Sequence, residues 1–181
     1  MTDSSPNAGV RLPNLDEQSW NENWLRIIQS AIDAGAIAQD DLRPALEDAH
    51  AHMAAMADAP RPITHLDLYR GVVFPRRGSV PPAFQSLENG STDPATTVEV
   101  TMAQMSAWTL SPLVARLFAG AFALPDAGPC RGFIVLAQIP AERIFSNGLL
   151  GMGNLQLAEH VVLGGTIAAH VREIPHSEPE A

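Results

Sequence analysis

The stretch LDLYRGVVF, Leu66 to Phe74, decides how this chain folds. Its alternation places Leu66, Leu68 and Arg70 on one face of a strand and Asp67 and Tyr69 on the other. The two leucines mark the buried face, and a permanent cation follows them on it. Arginine cannot shed its proton, so that face must offer Arg70 an anion or a rim of water. Gly71, next to it, lets another group approach the backbone closely.

The chain changes texture on either side. Upstream, Asn14 and Glu17 form a capping box. Trp20, Trp24, Ile27, Ile28 and Ile32 then recur at helical spacing, with Gly35 as a stop. A second helix carries Leu42, Leu46, Ala49, Met53 and Met56 on one face, with Pro60 beyond it. The two helices predict a hairpin. Downstream, residues 78–96 read as a long loop. TTVEVTM reads as a strand, SPLVARLFAGAFA as a helix and GFIVLAQIP as a central strand. NGLLGMGN reads as a glycine-rich loop, and EHVVLGG and TIAAHVREI as two closing strands. Helices first and then mostly strands favours α+β over alternating βαβ units. The expected layout is one compact domain. It has a disordered N-terminus (1–13), a helical hairpin (14–60), a core (61–174) and a tail (175–181).

Composition narrows the function classes. Of 181 residues 46% are hydrophobic, enough for a real core. No apolar run approaches the ~20 residues of a membrane helix. The first residues lack the pattern of a signal peptide. Cytoplasmic synthesis is the expectation, with later secretion or delivery into a target cell compatible. The net charge of −9 argues against charge-driven binding to nucleic acid or anionic lipid. All eleven cations are arginines, so no lysine serves as a Schiff base or phosphate clamp. The single cysteine, Cys130, excludes an internal disulfide. His50 and His52 are two apart on a helix, which is poor ligand spacing, and no metal is expected. GLLGMG lacks the strand-to-helix context of a dinucleotide fingerprint.

Three constellations carry chemistry. Tyr69-Arg70-Gly71 ends an apolar strand with a fork suited to phosphate or carboxylate. SAWTLSPLVARLFA brings Trp108 and the hydroxyl of Thr109 up a strand to Ser111-Pro112, a strong helix start. NLQLAEHVVLGG places Glu159 where a glycine-rich loop meets an apolar strand. A carboxylate seldom lies at such a junction without a partner.

Arg, then Thr/Ser, then Glu, each at a strand edge, resembles the arginine–serine–glutamate class of mono-ADP-ribosyltransferases, the family of the cholera-like and C2- and C3-like toxins. The resemblance covers about residues 63–174. It implies a split, mixed or antiparallel β-sheet core and NAD as cosubstrate. It implies that Arg70 binds the phosphate or ribose side of NAD, with Tyr69, Gly71 and Trp108 lining the cofactor site. Arg131, ahead of FIVLAQIP, looks like an added phosphate contact. Thr109, in place of the family's first serine, would hydrogen-bond Glu159. Ser111 would support the turn and cap the helix. Glu159 would accept a hydrogen bond from the nicotinamide ribose and stabilise the oxocarbenium as nicotinamide leaves. Gln156 and Leu157 occupy the acceptor loop. Leu157 stands two before the glutamate, where the family carries Glu or Gln, and cannot hydrogen-bond an acceptor. The resemblance implies transfer to a macromolecule, a protein before a nucleic acid given the charge. NAD hydrolysis and a catalytically silent binding module are the alternatives. An antitoxin, immunity or activator protein would suit a toxin or effector.

Overall fold

The computed structural model describes residues 39–75, 80, 81, 84, 97–121, 130–147 and 157–174. The first expected helix, both termini and most of the loop between residues 76 and 96 lie outside them. Elements run α1 (Gln39–Ala57), β1 (His65–Pro75), β2 (Thr97–Thr109), α2 (Pro112–Ala121) and β3 (Cys130–Pro140). A 3-10 turn (Ala141–Arg143), β4 (Ile144–Asn147) and β5 (Glu159–Ile174) follow. The protein is mixed α+β with antiparallel pairing throughout. Among the described residues no helix is long and apolar enough to cross a membrane.

Five strands join in the order β2-β1-β3-β5-β4, with β2 also paired to β5. A strand residue has one partner per edge, so doubly paired residues reveal the geometry. His160 faces Trp108 of β2 and Asn147 of β4, and His170 faces Thr97 of β2 and Leu136 of β3. Thus β2 holds one edge of β5, while β4 and then β3 share the other. Tyr69 pairs with both Leu136 and Thr109, and Tyr69↔Thr109 is the single register pair between β1 and β2. The sheet therefore closes on itself at one point, and β1 and β2 splay apart beyond it. That split positions the site.

The expected pair of closing strands is one continuous 16-residue strand. Gly164-Gly165 reads as a turn, but here it is absorbed as an irregularity. Gly165 has φ +128° and pairs with Met102 of β2, and the register slips only between Met102 and Met105, opposite Gly164. Arg143 secures it by donating to the carbonyls of Leu163 at 3.0 Å and Thr166 at 3.2 Å. The side-chain bonds replace ladder bonds over the gap between β4 and β3.

Two apolar clusters hold the fold. Leu68, Phe133, Val135, Ala137 and Ile139 face Trp108, Val162 and Ala169 inside the closed sheet. On the outer face α2 crosses β1 and β3 at their glycines. A Cβ on Gly71 would lie 2.1 Å from the Ala115 carbonyl oxygen, and one on Gly132 would lie 2.0 Å from that of Ala119. The group that Gly71 admits is this helix. The second cluster docks α1, through Ala45, Ala49, Met53 and Met56, onto Val114, Leu157 and Ala158. The apolar face read from the sequence is the one buried, and it packs against the turn that precedes Glu159.

Candidate active site

Arg70 leaves the inner face of β1 where β1 and β2 diverge. There the Ala107 carbonyl has no ladder partner in β1, and the Arg70 guanidinium donates to it at 2.9 Å. This answers part of the question posed by a cation behind two leucines, since the strand edge itself supplies an acceptor. Arginine has five N–H donors. The Ala107 bond is the one hydrogen bond Arg70 makes among the described residues. Burial pushes its pKa below the usual arginine value, and the Glu159 carboxylate pushes it back up. The two charges thus sense each other across the split.

Glu159 is the first residue of β5, lies opposite Thr109 in the ladder, and is only 3% exposed. The turn before it is held under strain. Ala158 adopts φ +48°, a left-handed conformation that costs a non-glycine residue roughly 1–2 kcal/mol. Three hydrogen bonds over-determine it. Leu110 N–H donates to the Ala158 carbonyl at 3.2 Å, His160 Nδ1–H donates to the same oxygen at 3.0 Å, and the Thr109 hydroxyl donates to the Leu157 carbonyl at 2.6 Å.

The last bond corrects an expectation. Thr109 has one proton and gives it to Leu157, so it does not donate to Glu159. Its oxygen also accepts the Ser111 N–H at 3.0 Å. Thr109 acts on Glu159 through the backbone of the turn. Ser111 caps α2, accepting the Val114 N–H at 3.1 Å. Its own proton goes to Asp48 of α1, a contact with no sequence signal because it joins residues 63 apart.

A cavity of about 270 Å³ opens beside the closure pair, between α2 and the split. Arg70 and Glu159 both line it, with Tyr69, Val114, Phe118 and Leu157 supplying apolar walls. The site thus combines a cation with open donor capacity, a desolvated carboxylate and an apolar slot. Such a pocket can hold an anion at one end and a planar ring in the slot, and it can stabilise positive charge beside the carboxylate.

Other expected members stand differently. Trp108 is 2% exposed within the inner core, and its indole N–H donates to Ser106 Oγ at 2.9 Å, so it contributes wall and no polar contact to a cofactor. Gly71 lends backbone to the cavity, but the space of its missing Cβ belongs to α2. Arg131 does not line the cavity that Arg70 and Glu159 share. It forms a two-bond fork with Glu173, 2.6 Å each, and lies over the Phe133 ring at 5.1 Å. Leu157 is buried in the cluster with α1 and lends the cavity an apolar wall, with no side-chain polar atom to orient an acceptor. Gln156 lies outside the described residues. Sequence reasoning missed Asp48 and His160. The latter is fully buried with burial holding its pKa below 6.5, and its Nε2 has no hydrogen-bond partner among the described residues. Among the described residues no group of three or more His, Cys, Asp or Glu gathers as a metal site.

No family model matches this chain, and neither a curated protein nor a solved structure matches it. The functional reading therefore rests on the chemistry of the pocket.

Proposed function

We propose that the chain is an NAD-dependent mono-ADP-ribosyltransferase whose closed, split antiparallel sheet is the transferase core. The observation that carries this reading is the pairing, in one cavity, of Arg70 with uncommitted donors and Glu159 on a strained, triply fixed turn. Arg70 binds the pyrophosphate of NAD. Tyr69, Val114 and Phe118 enclose the nicotinamide. Ionised Glu159 accepts a hydrogen bond from the nicotinamide ribose. The bond between the ribose anomeric carbon and the nicotinamide nitrogen breaks, with its electron pair leaving on nicotinamide. Glu159 stabilises the resulting oxocarbenium, and a nucleophile attacks the anomeric carbon and loses its proton. The carboxylate acts in a water-poor pocket, where charge stabilisation is worth far more than in solvent.

Hydrolysis is the second reading, favoured by Leu157. With that side chain packed against α1, the described part of the turn offers no group to orient an acceptor. A protein acceptor, delivery as an effector and a neutralising partner protein belong to the transferase reading, and the acidic charge favours protein over nucleic acid.

The test is nicotinamide release from NAD, with and without cell lysate, for wild type and Glu159→Gln. Removing one electrostatic stabiliser lowers turnover by on the order of 10²–10³. Label transferred to a macromolecule marks the transferase, and free ADP-ribose marks the hydrolase. Wild type that neither releases nicotinamide nor binds NAD would end both readings.

A further inference from the structure

No residue of α1 lines the cavity, yet Asp48 of that helix meets the group of residues that hold Glu159. Its Oδ2 accepts the Ser111 hydroxyl proton, and its Oδ1 lies 3.6 Å from His52 Nε2 on the next turn of α1. Capping alone does not require the Ser111 bond. Ser111 caps α2 with an oxygen lone pair, 3.1 Å from the Val114 nitrogen, and its proton is left over. Aiming that proton at Asp48 fixes the Ser111 rotamer. From Ser111 the linkage runs to the turn. The Ser111 N–H donates to Thr109 Oγ1 at 3.0 Å, and Thr109 donates to the Leu157 carbonyl at 2.6 Å. Leu157 leads directly into the left-handed Ala158 and then Glu159.

The same helix also packs on the far end of this linkage, because Ala45, Ala49 and Met53 share one apolar cluster with Leu157 and Ala158. Apolar packing sets how close α1 lies but has no direction. The Asp48 bond supplies the direction. It is the one hydrogen bond that α1 makes to the rest of the fold among the described residues. Ser111 and Thr109 are buried in a close-packed interior, so a shift at one is passed to the next. Building on the transferase reading of the cavity, we propose that Asp48 is a positioning residue for Glu159. It acts through Ser111 and Thr109, and it makes α1 part of the site although no atom of α1 reaches the cavity.

The experiment compares the full chain as wild type, Asp48→Ala, Asp48→Asn and His52→Ala, each under conditions where urea unfolding shows it folded. Two quantities are measured. One is kcat and KM for nicotinamide release. The other is hydrogen exchange of the Leu110 amide, which bonds the Ala158 carbonyl at 3.2 Å and reports on the turn whether or not NAD is cleaved. Misplacement by a remote substitution costs up to about a hundredfold in rate. Asp48→Ala should therefore lower kcat by about ten- to a hundredfold, with KM within about twofold because Arg70 is untouched. Leu110 should exchange at least tenfold faster relative to the slowest amides of β1 and β3. Asp48→Asn keeps an acceptor for Ser111 and should recover both quantities to within threefold of wild type. His52→Ala spares the Ser111 bond and should change neither by more than twofold. A merely structural Asp48 would speed all these amides together and leave kcat of the folded variant unchanged. Unchanged kcat in folded Asp48→Ala overturns the inference where wild type cleaves NAD. So does an Asn variant as impaired as the Ala variant, or a His52→Ala loss equal to that of Asp48→Ala. The two readings fail separately. Wild type that does not cleave NAD removes the transferase, and Leu110 exchange then decides alone whether Asp48 holds the turn.

Discussion

Replacing Thr109 with valine keeps the outline of the side chain and deletes one oxygen. That oxygen serves two groups, donating to the Leu157 carbonyl at 2.6 Å and accepting the Ser111 N–H at 3.0 Å. Thr109 and Ser111 are 5% and 0% exposed, so water cannot replace it. A buried polar group left without a partner costs about 1–3 kcal/mol, so the pair predicts a loss of about 2–6 kcal/mol. Domains of this kind are stable by about 5–15 kcal/mol, so the loss is a large share. Thr109→Ser keeps the oxygen and forfeits one methyl group, worth about 1 kcal/mol. Urea unfolding followed by circular dichroism separates the two through the midpoint at constant slope. Activity gives a second readout. Without the Thr109 bond the turn at Ala158 is held less firmly, so under the proposed transferase reading kcat for nicotinamide release falls in the valine variant even where it is fully folded. Valine and serine variants within about 0.5 kcal/mol of each other would refute the claim that this hydroxyl fixes the turn.

Gly71→Ala forces a methyl group to within 2.1 Å of a helix carbonyl, so α2 must move. The expected loss is about 3 kcal/mol or more, read as a drop in melting temperature, and a neutral result would contradict the close crossing. Arg131→Met removes the fork to Glu173, whose side chain is 35% exposed, and costs about 1 kcal/mol. Under the proposed reading NAD affinity stays within twofold, whereas Arg70→Met weakens it at least tenfold; equal effects would place Arg131 in the proposed cofactor site. His160 is neutral in the fold because burial lowers its pKa from 6.5. The unfolded chain binds that proton first, so stability is full above about pH 6.5 and falls as pH drops toward the lowered folded value. The acid-side slope of the urea midpoint should flatten in His160→Gln, and an unchanged slope would assign the loss to other groups.

Much of the architecture is legible in the sequence because it rests on local periodicity. The alternation around Arg70 marks β1 and its buried face. The spacing of Ala49, Met53 and Met56 marks the face of α1 that docks, and Ser111-Pro112 marks the start of α2. Strand β4 escaped because four residues carry no periodicity. The long β5 was broken in two because a Gly-Gly pair looks the same whether it turns a chain or bends a continuous strand. Here Arg143, remote in sequence, makes the difference.

The sequence by itself determined which residues bear charge at strand ends, and so named Arg70 and Glu159 as the pair to examine. Side-chain type and local pattern suffice for that. Only the tertiary structure decided what each of them touches. Arg131 and Arg70 both stand on apolar strands, yet one meets Glu173 across the sheet and the other opens onto the cavity it shares with Glu159. Thr109 reaches the Leu157 carbonyl and Ser111 reaches Asp48, over separations of 48 and 63 residues. Such partners follow from how the sheet closes at Tyr69↔Thr109 and how α1 docks beside it. Closure and docking are sums of many long-range contacts that no single segment encodes.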